Sequence, residues 1–117
     1  MKNKEFANEL EDRTRKFAVS IIKLSASLPK TPEGLVIRNQ ITKSGTSVGA
    51  NYREANRARS KADFKNKIRI SEAEASETQY WLEIIKDTAW LPGERLRAEY
   101  KECGELLAIF TSITKSK

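Results

Sequence analysis

The most informative absence in this chain is histidine, of which its 117 residues contain none. Without an imidazole there are no Ser-His or Cys-His nucleophile pairs, no histidine metal ligands and no Glu-x-x-His motif of the di-iron bundles. Cysteine is nearly absent as well. Cys103 stands alone, so it forms no internal disulfide, and we expect a buried apolar thiol rather than a reactive or metal-binding one. The sequence therefore predicts a protein that is not an enzyme and binds neither a metal nor a cofactor.

Glycine, proline and long apolar runs are also scarce. Five Gly and three Pro interrupt a chain that is rich in helix-forming residues. No stretch approaches the ~20 apolar residues of a membrane span, and the first residues are charged where a signal peptide is apolar. Together with the unpaired cysteine, this predicts a cytoplasmic, bacterial protein without membrane contact, folded as a single domain over residues 1–117.

Apolar residues recur at alternating steps of three and four along four segments, which predict helices at about 5–28, 32–58, 60–90 and 94–115. Thr31 before Pro32, and Ser60 three residues before Asp63, are typical helix starts. Short connections make neighbours antiparallel, so the predicted fold is all-α: an antiparallel up-and-down four-helix bundle. The clearest predicted inward positions are Leu10, Thr14, Phe17, Ile21, Leu24 and Leu28 in the first helix, Phe64, Ile68, Ser71, Ala75, Thr78, Leu82, Ile85 and Ala89 in the third, and Leu96, Tyr100, Cys103, Leu107 and Phe110, joined by Leu106 and Ile113, in the fourth.

Residues 44–50, SGTSVGA, could be read as a loop because their helix propensity is low. Ile41, Val48 and Ala55 nevertheless keep a seven-residue step through the segment, which favours a helix whose small side chains let a neighbour approach closely. A phosphate-binding loop is the functional alternative. It is disfavoured because the Gly-Lys-Ser/Thr ending and the preceding apolar strand are missing.

The net charge of +6 is unevenly distributed. Between residues 53 and 69, at the predicted turn between the second and third helices, seven basic residues stand against two acidic ones, whereas residues 71–87 are acidic. Lysines at a helix start oppose the helix dipole, so local stability does not select them. We predict contact with RNA or DNA phosphates, without base stacking because aromatic residues do not interleave; a solvated turn and a protein contact are the alternatives. The candidates are Arg53, Arg57, Arg59, Lys61, Lys65, Lys67 and Arg69.

Three carboxylates, Glu54, Glu74 and Glu77, flank predicted inward positions. Carboxylates in a bundle interior can hold a metal or act as an acid/base pair. Because the chain has no histidine and many arginines, we favour structural carboxylates that pair with Arg, Ser or Thr.

Aromatic residues widen the apolar arc of the third helix beyond the single stripe that a monomeric bundle needs. Tyr80 and Trp81 adjoin the predicted seam, and Trp90 lies at its end. We therefore predict an oligomer interface at Tyr80, Trp81 and Trp90.

Three segments also resemble a known family. Residues 47–55 (SVGANYREA), 60–68 (SKADFKNKI) and 74–82 (EASETQYWL) are similar to stretches of the four-helix-bundle proteins encoded in intervening sequences of bacterial 23S ribosomal RNA genes. The resemblance implies a left-handed bundle that assembles into a ring-shaped homopentamer. Relatives include the accessory protein of diversity-generating retroelements, a basic barrel that binds nucleic acid and a reverse transcriptase. The alternative function that follows is a homo-oligomeric scaffold for a protein partner such as a reverse transcriptase.

Overall fold

Four antiparallel helices form the part of the chain that the computed structural model describes, residues 2–116, with side chains from residue 4 onward. They are α1 (Lys2–Ser25), α2 (Pro32–Ala55), α3 (Lys61–Asp87) and α4 (Gly93–Lys115). Each helix packs on its neighbour in the chain and α4 closes on α1. Across the diagonal, Tyr52 of α2 and Phe110 of α4 meet in the core, with 5.6 Å between their ring centroids. The predicted up-and-down bundle is confirmed.

The bundle is an elongated rod of 45 × 23 × 21 Å, and its two ends differ in construction. One end carries the α2–α3 turn, residues 56–60, together with the start of α1 and the end of α4. We call it the single-turn end. The opposite end carries both the α1–α2 and the α3–α4 turns, residues 26–31 and 88–92, and is called the double-turn end. None of the described helices is long and apolar enough to cross a membrane.

The helix starts predicted at Thr31 and Ser60 are confirmed, whereas α1 begins three residues earlier than predicted, at Lys2, and three predicted ends were placed too late. The hydroxyl of Thr31 accepts a hydrogen bond from the Gly34 N–H at 3.1 Å, and the Ser60 hydroxyl accepts one from the Asp63 N–H at 3.0 Å. The first three helices each end three residues before the predicted position, at Ser25, Ala55 and Asp87. After α1 and α2 the N–H groups of the turn bond to carbonyls three residues back, and after α3 they bond to carbonyls three and five residues back. Apolar spacing alone does not reveal such turns.

The core follows the predicted faces with five corrections. All six predicted inward residues of α1 are buried, and so are the α3 positions from Ile68 to Ile85. Ala89 is exposed because α3 has already ended, and Tyr100 keeps 42% of its surface exposed because its hydroxyl bonds to Glu83 at the rim. In α4, Leu106 is buried with Leu96, Cys103 and Phe110. Leu107 and Ile113, like Phe64 of α3, are only half-buried.

Residues 44–50 are helical, as predicted, and their small side chains bring α1 and α2 into close contact. A Cβ added at Gly45 would lie 2.8 Å from Cγ2 of Ile21. The buried hydroxyls of this stretch are satisfied across the α2–α3 contact, since Thr78 donates to the Ser44 hydroxyl at 2.8 Å and Ser71 donates to the Val48 carbonyl at 2.9 Å. Hydrogen bonds therefore replace the apolar contacts that larger side chains would make here.

At the double-turn end, backbone hydrogen bonds and a close backbone contact fix the conformation of the two turns. After α3, the N–H of Ala89 bonds to the Lys86 carbonyl and that of Trp90 bonds to the Ile85 carbonyl, the two bonds of a Schellman motif. Ala89 takes the left-handed conformation this motif requires, with φ of 57°. In the α1–α2 turn, Gly34 lies directly against the Pro29 carbonyl, so a Cβ there would overlap the oxygen. Both features serve close packing.

Candidate nucleic-acid interface

The seven predicted basic residues lie at the single-turn end, spread over the last turn of α2, the α2–α3 turn and the first part of α3. Lys65 and Lys67 are half-buried and the other five are exposed. The basic residues therefore lie at the end of the rod that the charge pattern predicted. The side chains do not share one surface, however, because the two helices turn them toward different neighbours.

Two of the seven basic side chains form ion pairs with carboxylates. Nε of Arg53 lies 3.6 Å from a carboxylate oxygen of Glu11 on α1, and Nζ of Lys67 lies 2.9 Å from one of Glu54 on α2. The bond to Glu54 raises the pKa of Lys67. Glu11 also accepts a 2.8 Å hydrogen bond from the Asn56 side chain. These contacts link α2 to both of its neighbours, which sequence spacing could not indicate.

The other five carry no carboxylate partner within 4.0 Å among the described side chains. Arg57 and Arg59 lie in the turn itself. Lys61, Lys65 and Arg69 follow one another at four-residue steps, about 6 Å of rise each, along one flank of α3. Because Lys65 is two residues from Lys67, about 200° around the helix, this flank faces away from α2.

The flank that carries these three cations is the one next to α4. One turn beyond Arg69, the Glu72 carboxylate accepts a 2.7 Å hydrogen bond from the Thr111 hydroxyl of α4. Lys115, one turn beyond Thr111, is exposed at the same end of the rod. It was absent from the predicted set because a window of contiguous sequence cannot include a residue of another helix.

Residues 53–69 offer no exposed aromatic side chain for base stacking. Phe64 is the one aromatic side chain between residues 53 and 69, and it is half-buried against the core. Residues 53–69 can attract phosphates through charge and offer no exposed ring to a base, whereas Phe6 of α1, at the same end of the rod, is 47% exposed.

The three predicted structural carboxylates are not brought together. Glu54 pairs with Lys67, seven residues before Glu74 on α3, which is about 10 Å along the helix axis. The pKa of Glu74 is raised by partial burial and then by the negative charge of Glu77, and Glu77 accepts a 3.1 Å hydrogen bond from the Trp81 indole. The partners of Glu54 and Glu77 are thus a lysine and a tryptophan, where we predicted Arg, Ser or Thr. Among the described residues, no group of three His, Cys, Asp or Glu side chains could hold a metal ion.

The predicted interface aromatics differ in exposure. Tyr80 is 53% exposed and stands edge-on to Trp81, with 5.0 Å between the ring centroids. Trp81 and Trp90 are half-buried and pack against the core. Trp90 is also the residue that follows the left-handed position of the Schellman motif, where an apolar side chain commonly packs back on the helix. Part of the apolar surface from which we predicted an oligomer interface is thus buried within the chain itself.

Cys103 is buried, as predicted. Its Sγ lies 3.2 Å from the Ala75 carbonyl, and burial raises the pKa of the thiol to about 12. A thiol in this state supplies almost no thiolate at neutral pH, so it has the properties of a packing residue rather than a nucleophile.

The fold and the charged turn define a class: a small antiparallel four-helix bundle with a basic single-turn end. Residues 7–112 match the model of the 23S rRNA-intervening sequence protein family, and the chain belongs to that family. A solved structure of a protein with unknown function from the S23 ribosomal protein family of Bacteroides thetaiotaomicron is similar, with 39% identity and a TM-score of 0.85 over 92% of this chain and 99% of that one. A search of curated proteins found no match.

Proposed function

We propose that this chain is a non-enzymatic, cytoplasmic homo-oligomer that binds the phosphate backbone of RNA or DNA through the basic residues of the single-turn end. The observation that carries the proposal is the set of five basic side chains without a carboxylate partner among the described residues, three of them in the first turns of α3. Lys61 lies in the first turn of α3, where the helix dipole disfavours a cation, so its placement does not serve the helix.

Counterion release explains why such a surface binds. Each phosphate that a Lys or Arg neutralises frees condensed counterions, and log K falls with log salt concentration by about 0.9 per contact on duplex DNA. Five contacts would give a slope of about −4.5 for one copy of the chain. Because the family is named for 23S rRNA intervening sequences, a structured rRNA fragment is a suitable first RNA probe.

The test is a binding titration of the purified protein with structured RNA and duplex DNA over a salt series. We expect affinity to fall log-linearly with salt. Replacing Arg57, Lys61 and Lys65 by Glu should abolish binding, while circular dichroism shows an unchanged helix content. The matched control replaces three exposed cations of the double-turn end, Lys23, Lys30 and Lys86, by Glu. Absence of wild-type binding at low salt would refute the proposal, as would equal losses in the two triple variants.

Oligomerisation, and the alternative function as a scaffold for a protein partner, are supported by Tyr80. An aromatic side chain that is 53% exposed beside a half-buried Trp81 offers apolar surface to another chain. Because Trp81 and Trp90 also pack on the core, Tyr80→Glu is the cleaner probe. We expect it to lower the oligomeric mass in solution with the helix content retained. A wild-type monomer at high concentration would contradict the oligomer, and a stable oligomer indifferent to nucleic acid would favour the scaffold.

A further inference from the structure

We infer that the nucleic-acid backbone lies on the α3–α4 flank of the single-turn end, contacted by Lys61, Lys65, Arg69 and Lys115, and that Arg53 and Lys67 hold helices together instead. This inference rests on the proposed function and deepens it, because it divides the basic residues of α2 and α3 into two groups and adds one from α4.

The first step is the division of roles. Lys67 and Glu54 form a 2.9 Å ion pair between α3 and α2, and Arg53 lies 3.6 Å from Glu11 of α1. A cation that already neutralises a carboxylate adds little net field at a phosphate, and the carboxylate beside it repels the ligand. Lys61, Lys65 and Arg69 have no such neighbour among the described carboxylates, so the field of the single-turn end is strongest on their flank.

The second step places Lys115 on that flank. Two hydrogen bonds set the antiparallel register of α3 and α4, from Thr111 to Glu72 at 2.7 Å and from Tyr100 to Glu83 at 2.9 Å. Four residues after Thr111 is Lys115, and four residues before Glu72 is Ile68. Lys115 is therefore level with the stretch between Lys65 and Arg69, and side chains four apart share a helix face, so it lies on the face of Thr111.

The third step sets the extent of the surface. From Lys61 to Arg69 the helix rises about 12 Å, a length that spans three to four nucleotides of one duplex strand. Glu72 begins the acidic part of α3 directly beyond Arg69, so the positive surface ends there. One copy of the chain thus contacts a short stretch of nucleic-acid backbone, and contact with a longer stretch needs several copies.

The experiment compares single substitutions by glutamine, each of which removes one positive charge, with a 20-base-pair DNA duplex as the probe. For Lys65→Gln, Arg69→Gln and Lys115→Gln we expect a several-fold loss of affinity and a salt slope that is shallower by about 0.9. Arg53→Gln and Lys67→Gln should leave the slope unchanged. Lys101→Gln, an exposed position nearer the other end of α4, is the matched control for Lys115.

The outcomes separate the inference from the proposed function. If the wild-type protein binds but Lys115→Gln behaves as Lys101→Gln does, or Lys67→Gln lowers the slope as much as Lys65→Gln, this assignment is wrong while the proposed function stands. If the wild-type protein does not bind, both fail. Thermal unfolding of every variant shows whether a loss of binding reflects a loss of fold.

Discussion

The two ends of the bundle are built on different principles. At the double-turn end, unusual residues have packing reasons: Gly34 lies against a carbonyl, Ala89 takes a left-handed conformation, and Trp90 covers the core. Charges there are mixed, since Lys86, Arg97 and Lys101 line the α3–α4 groove together with Glu83, Asp87 and Glu94. At the single-turn end, seven basic residues stand against two acidic ones between residues 53 and 69.

The residues that depart from local preferences have different causes at the two ends. A strained backbone position that closes a packed turn has its reason in the fold. Lys61, in the first turn of α3, closes no turn, and the helix dipole opposes it, so packing and local stability do not account for its position. Both ends carry exceptions, and only the single-turn end carries exceptions that stability does not explain.

The largest effect on stability is expected at Gly34. Because a Cβ there overlaps the Pro29 carbonyl, Gly34→Ala should lower the free energy of unfolding by about 3 kcal/mol. Gly104→Ala is the matched control, since a Cβ at that helical position has its nearest neighbour 3.8 Å away and should stabilise by about 1 kcal/mol. Denaturant titration measures both. Equal effects of the two substitutions would remove the packing explanation of the double-turn end.

The cap of α3 separates fold from binding at the single-turn end. Ser60→Ala removes the hydrogen bond to the Asp63 N–H and should cost about 1 kcal/mol of stability. Nucleic-acid affinity should stay unchanged under conditions where the variant is folded, because no charge is lost. Ser76→Ala, at an exposed position within the same helix, is the control. A drop in affinity for Ser60→Ala alone would link the cap to binding.

Ala89, which has a left-handed backbone conformation at the double-turn end, offers a substitution that should raise the stability of the protein. Ala89→Gly relieves a conformation that costs an ordinary residue about 1 to 2 kcal/mol, and after the entropy cost of glycine we expect a gain of about 0.5 kcal/mol. Ala73→Gly, at an exposed position in the middle of α3, should instead lose about 1 kcal/mol. Thermal unfolding distinguishes the two, and a loss at both positions would contradict the assigned geometry.

The smallest effect concerns Glu74, between the two ends. Burial and then Glu77 raise its pKa above the ordinary value of 4.5, so the folded state binds this proton more tightly than the unfolded state does. Stability therefore falls as the pH rises through the interval between 4.5 and the raised value. Glu74→Gln should be more stable than the wild type at pH 7 by about 0.5 kcal/mol and lose this advantage near pH 4. An advantage that does not depend on pH would contradict the assignment. Glu9→Gln, at an exposed position inside α1 and away from the helix start, is the control for loss of one negative charge.

Most of the fold was predictable because apolar periodicity and start signals report local energetics directly. The α1 face, the caps at Thr31 and Ser60, and the helical state of residues 44–50 were all predicted correctly. Helix ends were missed because tight turns and the Schellman motif leave no trace in apolar spacing. The division of the basic residues depends on which helix faces which, so neither the Lys67–Glu54 pair nor the position of Lys115 could be predicted.

The most direct test of the basic single-turn end compares neutralised ends in one experiment. Duplex DNA binding is measured over a salt series for a variant with Lys61, Lys65 and Arg69 replaced by Gln and for one with Lys86, Arg97 and Lys101 replaced by Gln. The first should lose about 2.7 from the magnitude of its salt slope, three contacts at 0.9 each, while the second keeps the wild-type slope. Equal slopes in the two variants would contradict the account, because binding would then follow net charge rather than the single-turn end.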